Sequence, residues 1–149
     1  MPFLKDTPFY RESFQELNYE FGDYYLFESF VVAEIHKDVV FTWKDHGKVV
    51  AEEISHLYEQ NGKGIVYISN RVNEYSRVPS DWFHFFRFNF FMKGYGIVSY
   101  SPEAKRTAIL EKFFVRSKMQ NFDNLDDAIL WAKELTAQNE KKEEQEISA

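Results

Sequence analysis

A single-domain α/β fold with a mixed β-sheet is predicted by three observations on this chain. The first third alternates apolar and polar residues about a Gly-Asp pair, as an antiparallel meander does. The remainder alternates capped helical stretches with short apolar runs, the order that parallel strands joined by right-handed crossovers require. No interdomain linker or internal repeat interrupts the 149 residues, a length that buries a core without staples.

Each element has its own signal. Leu17, Tyr19 and Phe21 alternate with Glu16, Asn18 and Glu20, so one strand face is buried. Gly22-Asp23 suits a two-residue type II′ turn, which makes residues 14–21 and 24–27 a hairpin. Glu28-Ser29 turns the chain again into Phe30, Val31, Val32, Ala33 and Ile35, a third strand rich in β-formers. Thr42 and Asp45 have capping-box spacing. Trp43, Val50, Ile54, Leu57 and Tyr58 then recur on one helix face, and Asn61-Gly62 ends that helix. The continuous apolar run Ile65, Val66, Tyr67 and Ile68 marks a doubly covered strand over 65–69.

A polar loop follows, and a helix opens near Pro79 or Ser80. Residues 95–100 form the next strand, expected beside 65–69 and parallel to it in the sheet interior. Ser101-Pro102-Glu103 is cap, proline and acid in order, and starts a helix to about Val115 with Ala108, Ile109, Leu110 and Phe113 facing inward. A short last strand is expected near Met119 to Phe122. Asn124 and Asp127 cap a final helix whose Ala128, Ile129, Ala132 and Leu135 face the core. Residues 1–12 read as an N-terminal arm, 13–135 as the domain, and the charged stretch 136–149 as a disordered tail.

Composition excludes several classes of function. Eighteen basic residues stand against 24 acidic ones, net −6, with no basic block, so nucleic acid is not an expected partner. Cysteine is absent, which removes disulfides, thiol catalysis and thiolate metal sites. No segment approaches the apolar length of a spanning helix, and Lys5 and Asp6 interrupt what would be a signal core. A soluble cytoplasmic protein is the expectation. His36, His46, His56 and His84 are scattered, so neither a metal nor another cofactor is expected. GxSxG, GxGxxG and GxxxxGK[ST] are all missing. The paired acids Glu52-Glu53 and Asp126-Asp127 point to different helix faces, as solvated surface does. No enzymatic constellation is present.

Two segments remain that chemistry has not absorbed. Ser69, Asn70, Arg71, Asn73, Tyr75, Ser76, Arg77 and Ser80 crowd hydrogen-bonding groups beyond the carboxyl end of a strand, where open α/β sheets place ligands. Ser99 and Ser101 end the next strand and share that rim. The plainer reading makes these residues satisfy their own turn, with Arg71 paired to Glu74. The sharper one makes Arg71 and Arg77 exposed cations that converge, with the helix start near Ser80, on an anion or a partner.

The second segment is DWFHFFRFNFFMKGYG, residues 81–96, whose aromatics exceed what one buried stripe absorbs. The chain holds 16 Phe, 9 Tyr and 3 Trp. Trp82, Phe85, Phe86 and Phe90 fill one side; Phe83, Phe88 and Phe91 fall at its margins. Another helix, a homodimer or protein partner, an apolar small molecule, or a covering segment such as residues 2–10 would hide them.

The meander, the capped helix, the run GIVYISNRVNEYS and the strand GYGIVSY leading into SPEAKR together resemble the small bacterial SpoIIAA-like proteins of the STAS superfamily, named for sulfate transporters and anti-sigma-factor antagonists. The resemblance covers residues 13–135, and YISNRVNEYS is its most specific part. It implies a regulatory or binding module without enzymatic activity. In the antagonists a phosphorylated serine follows an Asp-Ser-Ser-Gly type loop; here Tyr75-Ser76 and Ser80-Asp81 occupy the region, with Pro79 and no glycine. Location, not role, carries over to Ser76 or Ser80. A carrier or sensor of a small apolar or anionic ligand is the second expectation, and an enzyme the third.

Overall fold

Alternation in the first third of the chain produces three antiparallel strands, β1 (Gln15–Tyr19), β2 (Gly22–Leu26) and β3 (Phe30–Ile35). The computed structural model describes residues 3–58, 64–87, 92–115 and 118–148. Beyond β3 lie β4 (Val40–Phe41), β5 (Val66–Arg71), β6 (Ser76–Arg77), β7 (Gly94–Ser99) and β8 (Lys118–Phe122). The helices are α1 (Lys48–Leu57), α2 (Trp82–Arg87), α3 (Pro102–Leu110) and α4 (Leu125–Ser148). Among the described residues the main sheet has six strands in the order β1-β2-β3-β5-β7-β8, parallel from β3 onward. The expected parallel neighbours, β5 and β7, lie side by side in its interior.

Right-handed crossovers put α1, α2 and α3 on one face. One core forms there, where Tyr24, Val31, Ile54, Trp82, Tyr95 and Ala108 meet. The opposite face is covered by α4, whose Ala128, Ile129, Ala132 and Leu135 pack on Tyr25, Val32, Ile68 and Val98 as expected. Asn124 caps α4, accepting from the Asp127 N–H at 2.9 Å and returning a bond to its carboxylate at 3.0 Å. Gly94 lets this helix come close, since a Cβ there would stand 2.8 Å from Leu135 Cδ2. The Thr42 cap also forms, accepting from Asp45 at 3.2 Å, though a single π-type turn over Trp43–Gly47 precedes α1. Among the described residues no helix is long and apolar enough to cross a membrane.

Four local expectations are corrected. Tyr19 pairs with Gly22, so the hairpin turns at Glu20-Phe21 and Gly22 belongs to β2. It is glycine for space: a Cβ would lie 3.0 Å from both the Glu34 carbonyl oxygen and Ile35 Cδ1. On α3, Ala108 is buried but Ile109, Leu110 and Phe113 are exposed, Phe113 at 79%. The inward stripe is Ala104, Ala108 and Glu111 at i, i+4 and i+7, because small side chains let α3 approach β7 while a carboxylate finds partners beneath it. The stretch read as a disordered tail continues α4 to Ser148, since it lacks Gly and Pro and is rich in Glu, Lys, Gln and Ala, all good helix formers. Finally, the N-terminal arm packs away from Trp82, on the opposite side of the sheet. It forms two 3-10 turns, Leu4–Asp6 and Pro8–Glu12, and buries Leu4 on the α4 face.

Candidate functional site

Strand alternation decides which side of the sheet each residue of β5 meets. The strand runs to Arg71, two residues beyond the expected end at 69, so Ser69, Asn70 and Arg71 are ladder residues rather than loop residues. All three are buried. Ser69 and Arg71 turn toward Tyr95 and α3, whereas Asn70 turns toward α4 and the N-terminal arm.

Arg71 does not pair with Glu74. Its Nη2 donates to Glu111 Oε1 at 2.6 Å and to the Tyr95 hydroxyl at 2.9 Å, and its Nε donates to Ser69 Oγ at 3.1 Å. Arg77 Nε donates to the same Glu111 oxygen. Trp82 Nε1 and the Tyr95 hydroxyl reach Oε2 at 3.2 and 3.0 Å. Glu111 is therefore a fully buried carboxylate that joins β5, β6, α2 and β7 to the end of α3. Burial pushes its pKa up, but the charges of Arg71 and Arg77 outweigh burial and hold it below the usual carboxylate range. Burial, with Glu111 close by, pushes the Tyr95 phenol well up.

Arg77 owes its place to a separate ladder. β6 pairs in parallel with β4, Val40 opposite Ser76 and Phe41 opposite Arg77, which straps the segment after β5 to the approach of α1. Asp38 supports the same corner: it adopts φ 66°, which Asp tolerates better than most residues, and donates its N–H to the Glu74 carbonyl at 2.8 Å.

Two hollows adjoin this network. A small inner cavity of about 50 Å³ is lined by Phe41, Tyr67, Ser69, Trp82, Tyr95 and Glu111, among others. A wider outer cleft of about 510 Å³ opens between the segment after β5 and the start of α3. Arg71, Asn73, Glu74, Ser101, Glu103 and Thr107 are on its walls. Tyr75 and Arg77 line both, so they form the partition. Arg77 also lies over the Tyr75 ring at 5.7 Å. At this end of the sheet Arg71 Nη1, Arg77 Nη2 and Ser99 Oγ are buried with no hydrogen-bond partner among the described residues.

The sequence-predicted residues divide accordingly. Arg71, Asn73, Tyr75, Arg77 and Ser101 come together around the cleft, and Ser69 lies on the inner cavity. Asn73 is held there by donating to the Ile35 carbonyl at 3.0 Å, and Ser101 by capping α3, accepting from Ala104 at 3.1 Å. Asn70 is not with them. It donates to Glu34 Oε2 at 2.7 Å and accepts from Tyr100 at 2.6 Å on the other face. Ser76 and Ser80 are exposed and line neither hollow. The expected pair of exposed arginines is corrected: they converge, but on an internal carboxylate, and Arg71 is only 6% exposed. Trp82 is core, Phe83 is exposed and touches Phe114 edge-on at 5.5 Å, and Phe88 and Phe91 lie outside the described residues.

The residue at the centre, Glu111, was not singled out by sequence. Its signal was there in the alanines at 104 and 108, which mark the close-packed face of α3.

No family model and no curated protein matches the chain. The chain is similar to the crystal structure of an uncharacterized protein from the DUF3478 family with a SpoIIAA-like fold from Shewanella loihica PV-4, over 79% of this chain and 90% of that one. Identity is 12% and the TM-score 0.48. The fold expected from the sequence, an antiparallel meander followed by parallel strands in one mixed sheet, is what the chain's own strand pairings show.

Proposed function

We propose that this protein is a non-enzymatic, STAS-like binding or regulatory module that receives its partner or ligand at the outer cleft. The observation that carries this reading is the cleft's construction. Its floor is a rigid buried network, and its walls are the segment after β5 and the first turn of α3, at the carboxyl ends of two parallel strands. On its walls the Ser101 hydroxyl accepts from the Ala104 N–H and the Thr107 hydroxyl donates to the Glu103 carbonyl, local helix bonds that favour binding over chemistry. Beside it the outer side of α3 presents Ile109, Leu110 and Phe113, a set of exposed apolar residues that supports a protein partner or a second copy. The buried, unpartnered guanidinium nitrogens favour a second reading, a carrier or sensor of a small anion.

Native mass spectrometry of gently purified protein tests the module. Thr107→Trp fills the cleft and Phe113→Asp charges the apolar face. A ligand mass lost with the first, or a complex lost with the second, is expected; a bare monomer in the parent and both variants overturns the reading.

A further inference from the structure

We propose that the outer cleft binds the carboxylate of a small monoanionic molecule, drawn by the guanidinium groups of Arg71 and Arg77 on its lining while the rest of the molecule lies toward the rim. This rests on the reading of the cleft as the binding site and adds the class of ligand. Three features select that class.

The first is unmet donor capacity. A buried N–H with no acceptor costs about 1–3 kcal/mol, so folded proteins seldom retain one without a reason. Here two guanidinium nitrogens and the Ser99 hydroxyl are orphaned at one end of the sheet, Ser99 being the ladder partner of Arg71. Both arginines line the cleft. Glu111 accepts from Arg71 Nη2 and Arg77 Nε and so takes up only part of each guanidinium's donor capacity, leaving Arg71 Nη1 and Arg77 Nη2 without an acceptor.

The second is charge. Within the buried cluster, two arginines against one glutamate leave a single positive charge, and a carboxylate beside it neutralises it. A phosphate dianion overshoots, and Glu74 and Glu103 on the same walls repel the excess. Those two acids instead suit a neutral or cationic remainder, such as the ammonium group of an amino acid.

The third is room. The cleft, about 510 Å³, falls in the range of small-molecule sites, whereas the inner cavity, about 50 Å³, has space for a few waters. Tyr75 and Arg77 close the inner space from the outer, so the ligand stops at the arginines.

The test is a titration of ¹⁵N-labelled protein with sodium acetate, glycine and inorganic phosphate, with sodium chloride at matched ionic strength as the reference. The Arg71 and Arg77 Nε–Hε signals and the Ser101 to Ala104 backbone report. Saturable shifts with acetate or glycine are expected, with affinity for phosphate lower by about tenfold. Arg77→Gln should weaken binding by about tenfold or more, with its fold checked by near-ultraviolet circular dichroism. Thr107→Trp, which touches neither arginine, should abolish the shifts and keeps the test decisive if the first variant fails to fold. Shifts no larger than those with chloride overturn the proposal, as do saturable shifts that survive Thr107→Trp. If that variant removes a natively bound mass while acetate and glycine do nothing, the cleft remains the binding site and the carboxylate assignment alone falls.

Discussion

Asn70 and Arg71 are consecutive residues of one strand, and each faces a buried glutamate on opposite terms. On the α3 side, Glu111 meets two guanidinium groups and is held ionised in spite of burial. On the α4 side, Glu34 is 2% exposed and meets neutral donors, the Leu4 N–H at 2.8 Å and the Asn70 amide at 2.7 Å. Burial, followed at longer range by Asp23 and Asp6, pushes its pKa above the usual carboxylate value even though those donors pull it down. Depth does not set the charge of a buried acid; the charge of its neighbours does. The Glu111 network therefore acts as a charged lock among five elements, and the Glu34 network as a polar latch that seats the N-terminal arm.

The largest effect is expected at the lock. Glu111→Gln leaves Arg71 and Arg77 facing an amide, and breaking a buried ion pair from one side costs roughly 3–5 kcal/mol. A drop of that size in the urea unfolding free energy checks it. A loss under about 1 kcal/mol, the range of exposed pairs, would mean the arginines find water instead.

The next effect transfers charge repulsion to the latch. Asn70→Asp places a second carboxylate where the Asn70 amide now donates to Glu34, so a donor is lost and two like charges share one buried site. About 3 kcal/mol should be lost at neutral pH. The loss should shrink in acid, where the two carboxyl groups share a proton; unfolding curves that are equally shifted at acid and neutral pH would contradict the latch.

How far these two networks were legible follows from what sets them. Periodicity exposed β5, β7, α1 and the core face of α4, and local caps marked Thr42, Ser101 and Asn124, because those signals are contained within a few residues. The cleft's place beyond β5 was readable for the same reason. Its floor was not. Arg71 and Glu111 are 40 residues apart, and Leu4 and Glu34 are 30 apart, so their pairing depends on sheet order and helix side. Large apolar residues also misdirected the reading of α3. Ile109, Leu110 and Phe113 outweigh two alanines and a glutamate on any hydrophobic stripe, yet the helix packs through the smaller face.

The smallest effect, and the one that sharpens the contrast most, is expected for Glu34→Gln. A glutamine oxygen can still accept from Leu4 and Asn70, so the arm stays latched, and the removed charge is one that the site resists. Because the folded pKa lies above the unfolded value of 4.5, the parent protein carries no ionisation penalty below pH 4.5 and accumulates it as pH rises toward the folded value. The variant escapes that penalty. Its stability should therefore match the parent's in acid and exceed it at neutral pH, by at most about 1 kcal/mol, since the new amide also needs an acceptor for its own N–H groups. The corresponding exchange at Glu111 runs the other way: its folded pKa is depressed, so the stabilisation it gives is present above 4.5 and fades as pH falls through the folded value. Unfolding free energies for the two Gln variants against pH should thus diverge from the parent in opposite directions above pH 4.5. If both variants lose stability together as pH rises, Glu34 is ionised and favourably placed, and the two faces of the sheet handle charge alike.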